Sequence, residues 1–130
     1  MNNLTLLLSA IIMVESAGDN NAVGDNGKAV GCLQIWPCVV ENCNRILGRQ
    51  TFTLADRTNW VASIAMFRHY VGHYCTRKRL GREPTWQDMA LTWHYGPRGP
   101  WIQDRHGYWA KVQSALVRHR TDPVREGGPK

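Results

Sequence analysis

Glu15-Ser16-Ala17-Gly18-Asp19-Asn20-Asn21-Ala22-Val23-Gly24-Asp25-Asn26-Gly27-Lys28-Ala29-Val30-Gly31-Cys32-Leu33-Gln34-Ile35 is the stretch on which the reading of this 130-residue chain turns. Just before it, Leu4, Leu7, Leu8 and Ile11 recur at helical spacing, and Asn2 or Asn3 can cap the segment. Glu15 therefore sits on the last turn of an apolar helix, which Gly18, Asp19 and Asn20 stop. Residues 19–33 are rich in Gly, Asn and Asp, with Gly24, Gly27 and Gly31 spaced through them. This composition predicts a loop or short hairpin turning at Asp25-Asn26-Gly27.

Helices dominate the rest. Pro37 suits the first turn of a second helix, which runs to about Leu47 and ends at Gly48. Thr53 to Asp56 opens the next ordered piece. Trp60, Ile64, Phe67, Val71 and Tyr74 share one stripe, and the pattern predicts a long helix from about Asp56 to Arg79. Pro84 breaks the chain, and Thr85 caps a helix through about His94. Gly96 to Pro100 reads as a turn, and a last helix is expected from Tyr108 to about His119, with Val112 and Leu116 inward. The fold class is therefore mainly α, α+β at most: one helical domain over residues 1–120 with a small hairpin or loop after the first helix. Residues 121–130, with two Pro and two Gly, are expected to form a polar, fraying tail.

Apolar residues make up 43% of the chain, enough for a packed core and too many for wholesale disorder. The net charge of +6 favours an anionic partner. The charge is dispersed, dense only at Arg77-Lys78-Arg79 and from Arg118 to Arg125, and it forms no stripe of a nucleic-acid fold, so no nucleic acid is expected. Cys32, Cys38, Cys43 and Cys75 permit two disulfides in three connectivities, and one or none is equally compatible with the spacing. They make no Cys-x-x-Cys pair, so neither a metal nor another cofactor is expected. The run from Leu4 to Val14 is too short to span a bilayer, and no Lys or Arg precedes it as in an export signal. It reads as a core helix, and a monomer is expected.

Glu15 is the residue with the best claim to chemistry. A carboxyl group at the edge of an apolar element loses hydration, which disfavours its charged form and keeps a proton available near neutral pH. Cleaving a glycosidic bond needs such an acid to protonate the leaving oxygen. Hydrolysis would add a second carboxylate, for which Asp25 in the facing loop is the best candidate and Asp19 the next. The chain's six tryptophans are a further hint, because indole rings are common platforms for sugars as well as core residues.

Three runs together resemble the soluble lytic transglycosylase domain of the lysozyme-like superfamily. The first is Glu15-Ser16, Ala22-Val23, Gly27, Gly31-x-Leu33-Gln34-Ile35 and Pro37. The second is Ala90-Leu91-Thr92-Trp93-His94-Tyr95-Gly96-Pro97, and the third is Tyr108-Trp109-x-x-Val112. They occur in the family's order across residues 4–118. The resemblance implies cleavage of the bond between N-acetylmuramic acid (MurNAc) and N-acetylglucosamine in peptidoglycan glycan strands, with Glu15 as a single acid/base and a 1,6-anhydro product. It also implies that Ser16, Gln34, His94, Tyr95 and Tyr108 form the substrate site. His94 stands where the family usually has Asn, and it adds a titratable group. A hydrolytic muramidase using Glu15 and Asp25, or a non-catalytic wall-binding module, are the alternatives. The wall-directed reading places the action in the periplasm or outside the cell. With no export signal visible, phage lysis, a virion or a secretion system would each serve for delivery, and one domain cut from a longer protein is an equal alternative.

Overall fold

The computed structural model describes residues 4–120, so the expected cap at Asn2 or Asn3 and the expected tail at 121–130 lie outside the described residues. The fold is mostly helical, with a small two-stranded antiparallel hairpin after the first helix. Helix α1 spans Leu4–Ser16 and buries Leu7, Leu8, Ala10, Ile11 and Ile12. The hairpin pairs β1 (Val23–Gly24) with β2 (Ala29–Val30) around a 3-10 turn at Asp25–Gly27. Asp25 and Asn26 both adopt left-handed backbone in that turn, at φ 50° and 59°. Asn and Asp tolerate this conformation better than other non-glycine residues, which explains why the turn uses them.

Helix α2 (Pro37–Leu47) begins on Pro37 and ends on a left-handed Gly48. The expected long helix is three pieces. Leu54–Thr58 is a 3-10 turn under a Thr53/Asp56 capping box, α3 covers Trp60–Tyr74, and α4 is a short turn at Arg77–Leu80. The breaks have local causes. Asn59 and Thr76 each accept a backbone N–H at the start of a new helix, and a capping residue holds extended rather than helical backbone. Trp60, at the head of the predicted stripe, is exposed, while Ser63, Met66 and Tyr70 join Phe67 and Val71 in the buried face. Helix α5 (Trp86–Tyr95) carries a Thr85/Asp88 capping box, and the buried Asp88 also takes two hydrogen bonds from Arg82, at 2.6 and 2.8 Å. A 3-10 turn at Gly99–Trp101 leads toward α6 (Tyr108–Arg120).

The core lies where α1 packs on α6, α2 on α3, and α5 on both α3 and α6. Phe67, Tyr70 and Trp93 meet edge to face at its centre, with ring centroids 5.0 to 5.6 Å apart. Burying one such ring contributes roughly 2–3 kcal/mol. The hairpin is tied down on several sides. Trp93 Nε1 donates to the Leu33 carbonyl (3.2 Å), the Ser16 hydroxyl to the Cys32 carbonyl (2.7 Å), and Arg57 to the carbonyls of Lys28 and Ile35 (both 3.1 Å). All four cysteines are free thiols, with Cys38 exposed. No helix among the described residues is long and apolar enough to cross a membrane.

Gly31 is the tightest point of this arrangement. Its φ is +90°, and a Cβ there would lie 1.8 Å from the Arg57 carbonyl oxygen. Gly31→Ala is expected to lower unfolding free energy by about 3 kcal/mol or more, from backbone strain together with overpacking. Urea denaturation of the two proteins checks this.

Candidate active site

A cleft of about 580 Å³ opens between the hairpin, the start of α2 and the end of α5. Glu15, Asp25, Lys28, Gln34, Trp36, His94, Tyr95 and His106 line it, among others. Glu15 reaches it from the last turn of α1 and is half-buried. Its Oε2 accepts a 2.7 Å hydrogen bond from the hydroxyl of Tyr108, which comes from the first turn of α6 and is buried. Burial pushes the Glu15 carboxyl up to about 7, the Tyr108 hydrogen bond pulls the other way, and the nearby negative charge of Asp25 adds to the rise. At neutral pH the group is poised between donor and acceptor of a proton.

His94 is stacked flat on Tyr108, with centroids 4.1 Å apart and planes within 7°. One ring nitrogen, Nε2, lies 2.8 Å from Nδ1 of His106. Burial, then the neighbouring His106, pushes His94 below its ordinary value, which favours a neutral ring at pH 7. Tyr95 lines the cleft, but its hydroxyl is committed to the loop before α6: it donates to Asp104 (2.5 Å) and accepts from the His106 amide (2.9 Å). Asp104 in turn accepts the amides of Tyr108 and Trp109 at the head of α6. Burial alone would raise the Asp104 carboxyl, but the Tyr95 hydroxyl and these amides hold it below its usual range. The set Tyr95–Asp104–α6 thus fixes where Tyr108 enters the site.

Gln34 has left-handed backbone, at φ 51°. Its amide nitrogen donates to the carbonyls of Ala22 and Gly31, and its Oε1 would meet any Cβ placed on Gly24 at 2.4 Å. It braces the hairpin and faces the cleft at once. Ser16 does not line the cleft: its hydroxyl holds the Cys32 carbonyl and accepts the Gly18 amide (3.1 Å). Asp25 lies in the cleft wall and accepts from Trp36 Nε1 at 3.1 Å. Asp19 accepts the Asn21 amide (2.8 Å), closing the end of α1.

Four residues of the site are not singled out by the sequence reading: Lys28, Trp36, Asp104 and His106. Trp36 directly follows Gly31-x-Leu33-Gln34-Ile35, and that adjacency is the one local signal that could have found it. Asp104 and His106 sit in an irregular loop without periodicity, and only the fold brings them to α5. Among the described residues no group of His, Cys, Asp and Glu could hold a metal ion. The chain matches no protein-family model and no curated protein.

The raised Glu15 carboxyl has a thermodynamic signature. Between its ordinary value of 4.5 and about 7 the folded state binds a proton that the unfolded chain releases. Stability is therefore expected to fall as pH rises through that window, by on the order of 1–3 kcal/mol, and Glu15→Gln should remove this dependence. Carboxyl carbon NMR of Glu15 should show its midpoint near 7. Tyr108→Phe deletes the hydrogen bond that favours the carboxylate, so the midpoint should move higher still.

Proposed function

We propose that the chain is a peptidoglycan-cleaving lytic transglycosylase. The observation that carries this reading is the Glu15 carboxyl: apolar helix behind it, Tyr108 on one oxygen, an open cleft in front. The order of the three sequence runs supports it, since Glu15, Gln34, His94 and Tyr95 line one cleft and Tyr108 bonds to Glu15.

In this reading a glycan strand lies along the cleft, over Trp36 and against Gln34. Protonated Glu15 gives its proton to the oxygen joining MurNAc to N-acetylglucosamine, and the C1–O bond breaks with oxocarbenium character at C1. The Glu15 carboxylate then takes the proton of the C6 hydroxyl while O6 bonds to C1, closing the 1,6-anhydro ring. Protons balance and no water is consumed. Tyr108 positions the carboxyl and steadies its ionised form between the two steps. A pKa near 7 suits a group that must act first as acid and then as base.

Hydrolysis by the same acid is the second reading, and Asp25 favours it. It shares the cleft and its charge is felt at Glu15. Asp25 would then activate water or stabilise the cation. In either case the enzyme acts on the wall, in the periplasm or outside the cell.

Incubating the protein with purified sacculi and identifying soluble products by mass spectrometry tests the proposal. Anhydro-muropeptides are the expected products, with Glu15→Gln slower by about 100-fold or more. Reducing-end products would move the assignment to hydrolysis, with Asp25→Asn as the next variant. Glu15-independent release, or none from folded protein, would overturn both. The first step needs protonated Glu15, so the rate should decline as pH rises above about 7.

A further inference from the structure

Lys28 is a cation in the cleft that forms no ion pair with a carboxylate among the described residues. It leaves the hairpin turn at the C-terminal end of Asp25–Gly27, and its carbonyl is held by Arg57. Its ammonium lies over the Trp36 ring, 5.3 Å from the centroid. The ion pairs among the described residues are Arg77 with Glu83 and Arg82 with Asp88, both away from the cleft. Asp25, the acid nearest in sequence, is engaged by the indole N–H of Trp36 and forms no ion pair with Lys28. Trp36 is 38% exposed, so its indole offers a surface to a sugar ring. The indole therefore carries a negative group at its edge and a positive one at its face.

We propose that Lys28, held over Trp36, recognises a carboxylate carried by a sugar ring, and that it selects glycans bearing such a group over neutral ones. This rests on the glycan-cleaving reading above and deepens it. A neutral N-acetylglucosamine polymer has no partner for this ammonium and must leave it solvated or bury it unpaired, which is unfavourable. MurNAc carries an ether-linked lactyl carboxylate on its ring. A pyranose laid on the exposed part of the indole, beside the ammonium, brings its substituents toward that cation, where a charge-assisted hydrogen bond forms. Asp25 sharpens the choice, because a carboxylate presented at the indole edge instead would be repelled.

The test is binding of two tetrasaccharides to the Glu15→Gln protein, read by tryptophan fluorescence and calorimetry. One alternates N-acetylglucosamine with peptide-free MurNAc, and the other is chitotetraose. The MurNAc ligand should bind more tightly, and Lys28→Met should weaken it about tenfold while weakening chitotetraose less than twofold. Lys28→Arg should keep most of the preference, and 1 M salt should shrink it. Methyl esterification of the lactyl carboxylate should abolish it. Equal weakening of both ligands by Lys28→Met, or of neither, would overturn the role of Lys28 while leaving glycan cleavage intact. Failure of both ligands to bind, together with no product from sacculi, would overturn the glycan reading itself.

Discussion

The hydrogen bond from Tyr108 to Glu15 joins residues 93 positions apart and restrains the proton affinity of the carboxyl. It forms where α1 packs against α6, with Ile11 and Val112, each four residues along its helix from one of the two groups, fully buried. The same packing that brings the hydroxyl to the carboxyl also strips the carboxyl of water. Two opposed effects therefore meet on one group. Burial raises its proton affinity, and the hydroxyl restrains the rise. In the proposed reaction, a site with burial alone would hold the proton too firmly for the later base step. With the hydrogen bond alone, it would release the proton too readily for the proposed acid step.

The surrounding residues act mainly on Tyr108. His94 covers its ring, His106 holds His94, and Asp104 holds the amides that begin α6. Tyr95 connects this group, bonding both to Asp104 and to the His106 amide. Asn in place of His94 would lack an imidazole face to lay on the phenol. A neutral His94 adds no positive charge beside Glu15, so the acid keeps its raised proton affinity at neutral pH.

Much of the fold was legible because local signals agreed with burial. Pro37 and Gly48 bound α2, Thr85 caps α5, and Asp25-Asn26-Gly27 makes the hairpin turn. The Trp60–Tyr74 stripe coincides with α3, and the helix expected beyond it at either end stops at Asn59 and Thr76, whose side chains cap new helices instead. Of the site, Glu15 was readable as a carboxyl at the end of an apolar segment. Trp36, Lys28 and Asp25 were harder to join. The indole hydrogen bond and the ammonium above it depend on a turn geometry that no spacing rule encodes. Ser16 and Tyr95 show the converse. Each has a hydroxyl suited to a sugar, and each hydroxyl is committed to protein groups.

The hairpin that walls the cleft has only two residues per strand, and an isolated ribbon of that size would not persist in water. Here Gly31 lies against the Arg57 backbone, Trp93 holds the Leu33 carbonyl, and Ser16 holds the Cys32 carbonyl. None of these anchors belongs to the hairpin itself. Moving the wall breaks contacts to α1, α5 and the 3-10 turn before α3. In the language of native-state hydrogen exchange, the amides of Val30 and Ile35, each bonded to the other's carbonyl, are expected to exchange with the core helices and not as a mobile loop. On that expectation a ligand meets a cleft wall whose shape is already set.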